Sequence, residues 1–151
     1  MKTRTVTREE VNAKPFCIWN AYVDFLAMED YEDLTPEQRL AHLVFWYESE
    51  MQNGGHLQYF ENRGAEHLEE TVYALGLLGA NGQQEVLKEA GAAFTRQRNR
   101  PSINRVEDLI SSAVESDVTK FDSRFHACSP TLQECLEAYL ARNQSSFVTI
   151  V

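Results

Sequence analysis

Apolar residues recur at helical spacing through most of the chain, and polar breaks divide them into segments. Phe16, Trp19, Val23 and Leu26 make one stripe, while Ile18, Tyr22 and Phe25 make a second. Residues 15–29 therefore read as a helix covered on two sides, opened by Pro15. Thr35-Pro36-Glu37-Gln38 is a start signal: Thr35 can cap, Pro36 suits the first helical position, and Gln38 completes a capping box. The helix it opens runs to about Asn53, with Leu40, Leu43, Val44, Tyr47 and Met51 inward. A short helix over 55–62 buries Leu57 and Phe60, and Gly64 supplies the left-handed residue behind it.

Two further helices follow over 66–78 and 83–96. Leu68, Val72, Leu75 and Leu78 line the first; Val86, Leu87, Ala90 and Phe94 line the second. Gly79 ends the former, and Asn81-Gly82 reads as a turn. Residues 96–104 read as a polar loop carrying Arg96, Arg98, Arg100 and Pro101. Asn104 with Glu107 is a second capping box and predicts a helix over 106–114. Phe121 and Phe125 anchor a short or irregular helical segment. Ser129-Pro130 starts a last long helix, with Leu132, Cys135, Leu136 and Tyr139 inward. The tail 147–151 alternates like a strand but is too short to define a sheet. Residues 1–12 are polar and read as a loose segment, or at most a short capping strand or turn. The pattern predicts an all-α fold: one domain over 1–151, with about seven helices and short loops.

Composition narrows the function. A chain of 151 residues with 43% hydrophobic and 25% charged residues can bury a core and is globular. A net charge of −9 argues against general nucleic-acid binding and against an anionic membrane surface. The acids are uneven: residues 1–75 hold 14 acids and 6 bases, and residues 76–151 hold 9 and 8. The excess thus belongs to the first half. No apolar run approaches the roughly 20 residues of a membrane span. The basic start has no apolar stretch behind it, so it is not read as a secretory signal. Cys17, Cys128 and Cys135 form no CxxC pair and read as reduced thiols of a cytoplasmic protein.

Candidate chemistry is sparse. No HExxH, GxSxG, P-loop or GxGxxG spacing occurs, so no metal, cofactor or catalytic residue is assigned, and a binding role is favoured over an enzymatic one. Cys17 lies on a buried pattern without a signal for a lowered pKa. Arg96, Arg98 and Arg100 lack interleaved aromatics and read as loop solvation rather than a phosphate site. His42 reads as a half-exposed helical histidine. Glu50, in the last turn of its helix, opposes the helix dipole and calls for a local partner.

The densest polar stretch is EMQNGGHLQYFENRG, residues 50–64. Each helical glycine costs about 1 kcal/mol relative to alanine, so Gly54-Gly55 marks a tight turn or a close approach. Glu50, Asn53, His56, Gln58 and Asn62 around it form a candidate polar site for a small ligand or an enzyme. The competing reading is a structural corner. A separate candidate is an acidic surface for a basic protein. Glu29, Asp30, Glu32, Asp33 and Glu37 cluster around one loop, and Glu48, Glu61, Glu66, Glu69 and Glu70 extend the field. DNA carries one charge per about 1.7 Å, and acids on successive helical turns can imitate it. The competing reading is an ordinary solvated face.

The pattern E-x-x-N-G-G-x-x-Q-Y-F-x-N, carried by Glu50, Asn53, Gly54, Gly55, Gln58, Tyr59, Phe60 and Asn62, resembles the signature of the DNA-mimic-protein-19 family. The ALGLLGANGQQEVLKEA stretch and Lys120-Phe-Asp-Ser-Arg-Phe125 resemble its later regions, so the likeness spans most of the chain. His56 stands where an aromatic or other apolar residue is expected. The resemblance implies an all-helical fold and an acidic homodimer that imitates DNA and occupies the DNA-binding face of a helix-turn-helix regulator. It implies a basic protein partner rather than direct contact with nucleic acid or membrane. The shared motif belongs to the helical framework, whereas the implied activity belongs to surface acids.

Overall fold

Seven α-helices and one pair of short strands make up the computed structural model, which describes residues 1–98 and 117–151. Strand β1 (Arg4–Val6) leads into α1 (Arg8–Ala13) and α2 (Cys17–Met28). A 3-10 turn (Tyr31–Asp33) precedes the long α3 (Pro36–Arg63). Helices α4 (Leu68–Leu77) and α5 (Asn81–Arg98) follow, then α6 (Asp122–His126) and α7 (Leu132–Asn143). A second 3-10 turn (Gln144–Ser146) ends in β2 (Val148–Ile150). The fold is all-α, as the periodicity predicts.

The Thr35 signal forms as expected. Gln38 N donates to Thr35 Oγ1 at 3.3 Å, and Thr35 N donates to Gln38 Oε1 at 3.0 Å. Gln38 does more than cap. It is fully buried, and its Nε2 donates to the backbone oxygens of Lys2 (2.9 Å) and Ser146 (2.6 Å). The start of α3 thereby holds both arms of the strand pair. β1 and β2 run parallel, with Arg4 opposite Val148 and Val6 opposite Ile150.

Several expectations are corrected. The N-terminal segment is not loose: β1 pairs with β2, and Thr7 and Glu10 form a full capping box on α1. The double glycine, by contrast, acts as expected: α3 consists of two helices that meet across a kink at Gly55, whose φ is 74°. Asn81-Gly82 opens α5 instead of forming a separate turn, and α5 extends past Arg96 to Arg98. The rest of the expected 96–104 loop and the expected 106–114 helix lie outside the described residues.

α3 is the axis of the core, packing against α2, α4, α6 and α7. Phe147, ahead of β2, meets Tyr22 and Phe25 of α2 edge-on at 4.7 and 5.6 Å, which seals the strand pair onto the bundle. At the other end of α3, Phe60 stacks flat on Phe94 of α5 at 4.4 Å. Leu132, Cys135, Leu136 and Tyr139 all face inward. No helix among the described residues is long and apolar enough to cross a membrane.

Candidate functional site

The break in α3 places the motif residues. Glu50 ends up buried, and its Oε2 accepts from Gln58 Nε2 at 2.8 Å and Asn62 Nδ2 at 2.9 Å. Arg63 Nε lies 3.5 Å from the other oxygen. These donors come from the segment beyond the break, so Glu50 ties the two halves of α3 together. That is the local partner its position near a helix end required. A β-carbon on Gly54 would press on the Gln58 side chain, and one on Gly55 would meet the Asp122 carboxylate. Tyr59 and Phe60 enter the core, while Asn53 stays exposed.

His56 is fully buried within a hydrogen-bonded chain. Its Nε2 lies 2.7 Å from Tyr47 Oη, and its Nδ1 lies 2.7 Å from Asp122 Oδ1. The same Asp122 oxygen accepts from the His56 backbone N–H at 3.0 Å. Burial pushes the imidazole pKa down, against the pull of Asp122. Tyr47 and His56 are both fully covered. The chain links α3 to α6 and fills the position where an apolar residue was expected. Of the candidate polar site at Glu50, Asn53, His56, Gln58 and Asn62, the side chains other than Asn53 are bonded to one another, to Tyr47 or to Asp122, and Asn53 stays exposed.

The acids divide into groups. Glu29 is paired with Lys2 (2.9 Å) and Arg4 (2.7 Å), which hold its pKa down, Lys2 foremost. Asp33 is paired with Lys2 at 2.8 Å. Glu37 accepts from Ser146 Oγ at 2.6 Å. Glu48 lines a separate cavity with Gln52 and His126, and burial raises its pKa. Glu70 accepts from Tyr31 Oη. Asp30, Glu32, Glu61, Glu66 and Glu69 are exposed, and among the described residues none pairs with a lysine or arginine.

Tyr31 brings two acidic stretches together. Besides its bond to Glu70, its ring lies on His67 at 4.1 Å between centroids. The 3-10 turn bearing Glu32 is thereby fastened to the start of α4, beside Glu66 and Glu69. Between them lie two adjoining cavities of about 230 and 260 Å³, both lined by Tyr31, His42, Trp46 and Arg63. Glu66 borders the first, and Asp30 and Glu32 border the second. Arg63 lies over the Trp46 ring at 4.0 Å.

His42 is not half-exposed as expected. It is 7% exposed, its Nδ1 has no hydrogen-bond partner among the described residues, and its pKa is pushed down to about 4. Burial is the main cause, followed by the Arg63 charge. The cleft residues Tyr31, His42, Trp46, Arg63 and His67 were missed in the sequence. The only signal was His42 and Trp46, one turn apart at the edge of the apolar stripe.

A family model described as DMP19-like protein matches residues 32–143, a span that holds the bracketed Glu50, the break at Gly55 and Asp122. No curated protein and no solved structure matches the chain. Because the matched span exceeds half of the 151 residues and carries this framework, the chain belongs to the DMP19-like protein family.

Proposed function

We propose that this chain is an acidic protein-binding module that offers Asp30, Glu32, Glu61, Glu66 and Glu69 to a basic protein. The fitting partner surface is one built to hold DNA, as in a helix-turn-helix regulator, with carboxylates in place of phosphates. One observation carries the reading: Tyr31 fastens the 3-10 turn to α4, so that acids from two separate stretches, bonded to no lysine or arginine among the described residues, border one cleft. The net charge of −9 and the family membership agree with it. Glu29 and Asp33 play a lesser part, since Lys2 and Arg4 offset their charge. The same reading includes a homodimer in the cytoplasm, and light scattering reads the dimer.

The test is affinity capture from the native host at low and at moderate salt, with partners identified by mass spectrometry. A basic partner retained at low salt and released as salt rises is expected, because charge supplies the attraction. Recovery of no basic protein at low salt would overturn the reading.

A further inference from the structure

Helix α4 has an inner and an outer face. Thr71, Ala74 and Leu75 are buried against the bundle, whereas Tyr73 and Leu77 are 61% and 49% exposed. Residues four apart stand one above the other on a helix, so Tyr73 and Leu77 share one patch. Among the described residues they are the one pair of large exposed apolar side chains so spaced; Phe16 and Met28 lie at opposite ends of α2. Single exposed apolar residues are ordinary, but an apolar patch rimmed by charge marks a contact surface. Here the rim is acidic. Glu69 precedes Tyr73 by one turn, Glu66 lies just ahead of the helix, and both are exposed. Neither pairs with a lysine or arginine among the described residues. Lys88 on the adjacent α5 is taken up by Glu85 at 3.3 Å. The face thus runs from carboxylates to apolar side chains, over about 12 Å between Glu69 and Leu77. Its occupant has to match both ends. A second copy, with a net charge of −9, sets acid against acid, whereas a basic helix with apolar side chains fits both.

We propose that the outer face of α4 docks an amphipathic helix of the basic partner, whose apolar side chains cover Tyr73 and Leu77 while its lysines or arginines reach Glu66 and Glu69. This rests on the acidic-module reading and deepens it. Attraction between exposed charges is screened by salt, whereas buried apolar area is not, so part of the affinity outlasts moderate salt.

The probe is a synthetic helical peptide with two leucines one turn apart and two arginines a further turn along the same face. A scrambled peptide of the same composition, with leucines and arginines on opposite faces, and an oligolysine peptide are titrated in parallel. Each goes into the isotope-labelled full chain, followed by NMR and calorimetry. Saturable shifts centred on Tyr73 and Leu77 are expected, with the scrambled peptide at least several-fold weaker at moderate salt. The double variant Tyr73→Ser, Leu77→Ser changes only exposed side chains. It should weaken the designed peptide about tenfold, the scale of lost apolar anchors, and leave oligolysine binding unchanged. Glu66→Gln with Glu69→Gln should weaken both. Equal binding of the designed and scrambled peptides overturns the proposal, as do shifts away from α4. If the serine variant keeps full peptide affinity while oligolysine binds, the α4 docking face falls and the acidic surface stands. If the serine variant instead turns a dimer into a monomer by light scattering, the face belongs to a second copy and the proposal falls. If no basic probe binds at low salt, both readings fall.

Discussion

An alanine at Gly55 would set a β-carbon against the Asp122 carboxylate, on a backbone with φ at 74°. Strain and contact together should cost about 3 kcal/mol in urea unfolding. Gly54→Ala would press on the Gln58 amide and also on its β-carbon, which a rotamer change cannot clear, but the backbone there is helical, so the loss should be smaller, about 1 kcal/mol. Equal losses at the two sites would disprove the role given to Asp122. Glu50→Ala strands Gln58 and Asn62 without their acceptor and should cost about 2 kcal/mol by the same measurement. His42 sets a pH dependence. Its folded pKa of about 4 lies below the ordinary 6.5 through burial first, with Arg63 and His67 lowering it further and a backbone hydrogen bond to Leu26 and the Asp30 charge opposing them. Below about pH 6.5 the unfolded chain takes up a proton that the folded chain refuses. Stability should therefore fall as pH drops from 6.5 to about 4, by about 3 kcal/mol in all. His56 acts in the same direction. Urea midpoints at about pH 7 and about pH 5 check this, and His42→Phe should flatten the difference.

At the scale of elements, the capping box at α3 and the strand pair form one joint. Thr35→Ala should cost about 1 kcal/mol by thermal unfolding, as a lost cap does. Deleting residues 1–6 should cost about 3 kcal/mol, because Gln38 loses the Lys2 oxygen, Glu29 loses both cations, and β2 loses its partner. The box was legible because its residues are local: Thr35, Pro36 and Gln38 declare it within four positions. The inward faces of α3 and α7 were legible for the same reason, as periodicity reports which side a helix buries. The β1–β2 pairing was not, because it joins the two ends of the chain and neither strand signals the other. The buried state of His42, Glu50 and His56 was hidden because a polar residue's exposure depends on which elements cover it. Glu50 was half-visible, since its place near a helix end asked for a partner without naming Gln58 and Asn62. The cleft was invisible: Tyr31 and His67 meet only after the 3-10 turn folds onto α4.

Across the whole molecule, charge is apportioned between holding the fold and facing outward. Lys2 and Arg4 absorb Asp24, Glu29 and Asp33 near β1, while Glu66 and Glu69 remain toward solvent. Glu66→Lys with Glu69→Lys should therefore change stability by no more than about 0.5 kcal/mol. The same pair should weaken binding of an oligolysine peptide at low salt by about tenfold, read by calorimetry. The parallel strands carry a mechanical consequence. The Arg4 N–H reaches the Phe147 oxygen, and the Val151 N–H reaches the Val6 oxygen. Tension applied through the segments before Arg4 and after Ile150 drags two parallel neighbours past each other. The rungs of the ladder are then loaded together in shear, and none can be peeled open first. Under an optical trap, the bundle should stay shut until the whole ladder gives way in a single step.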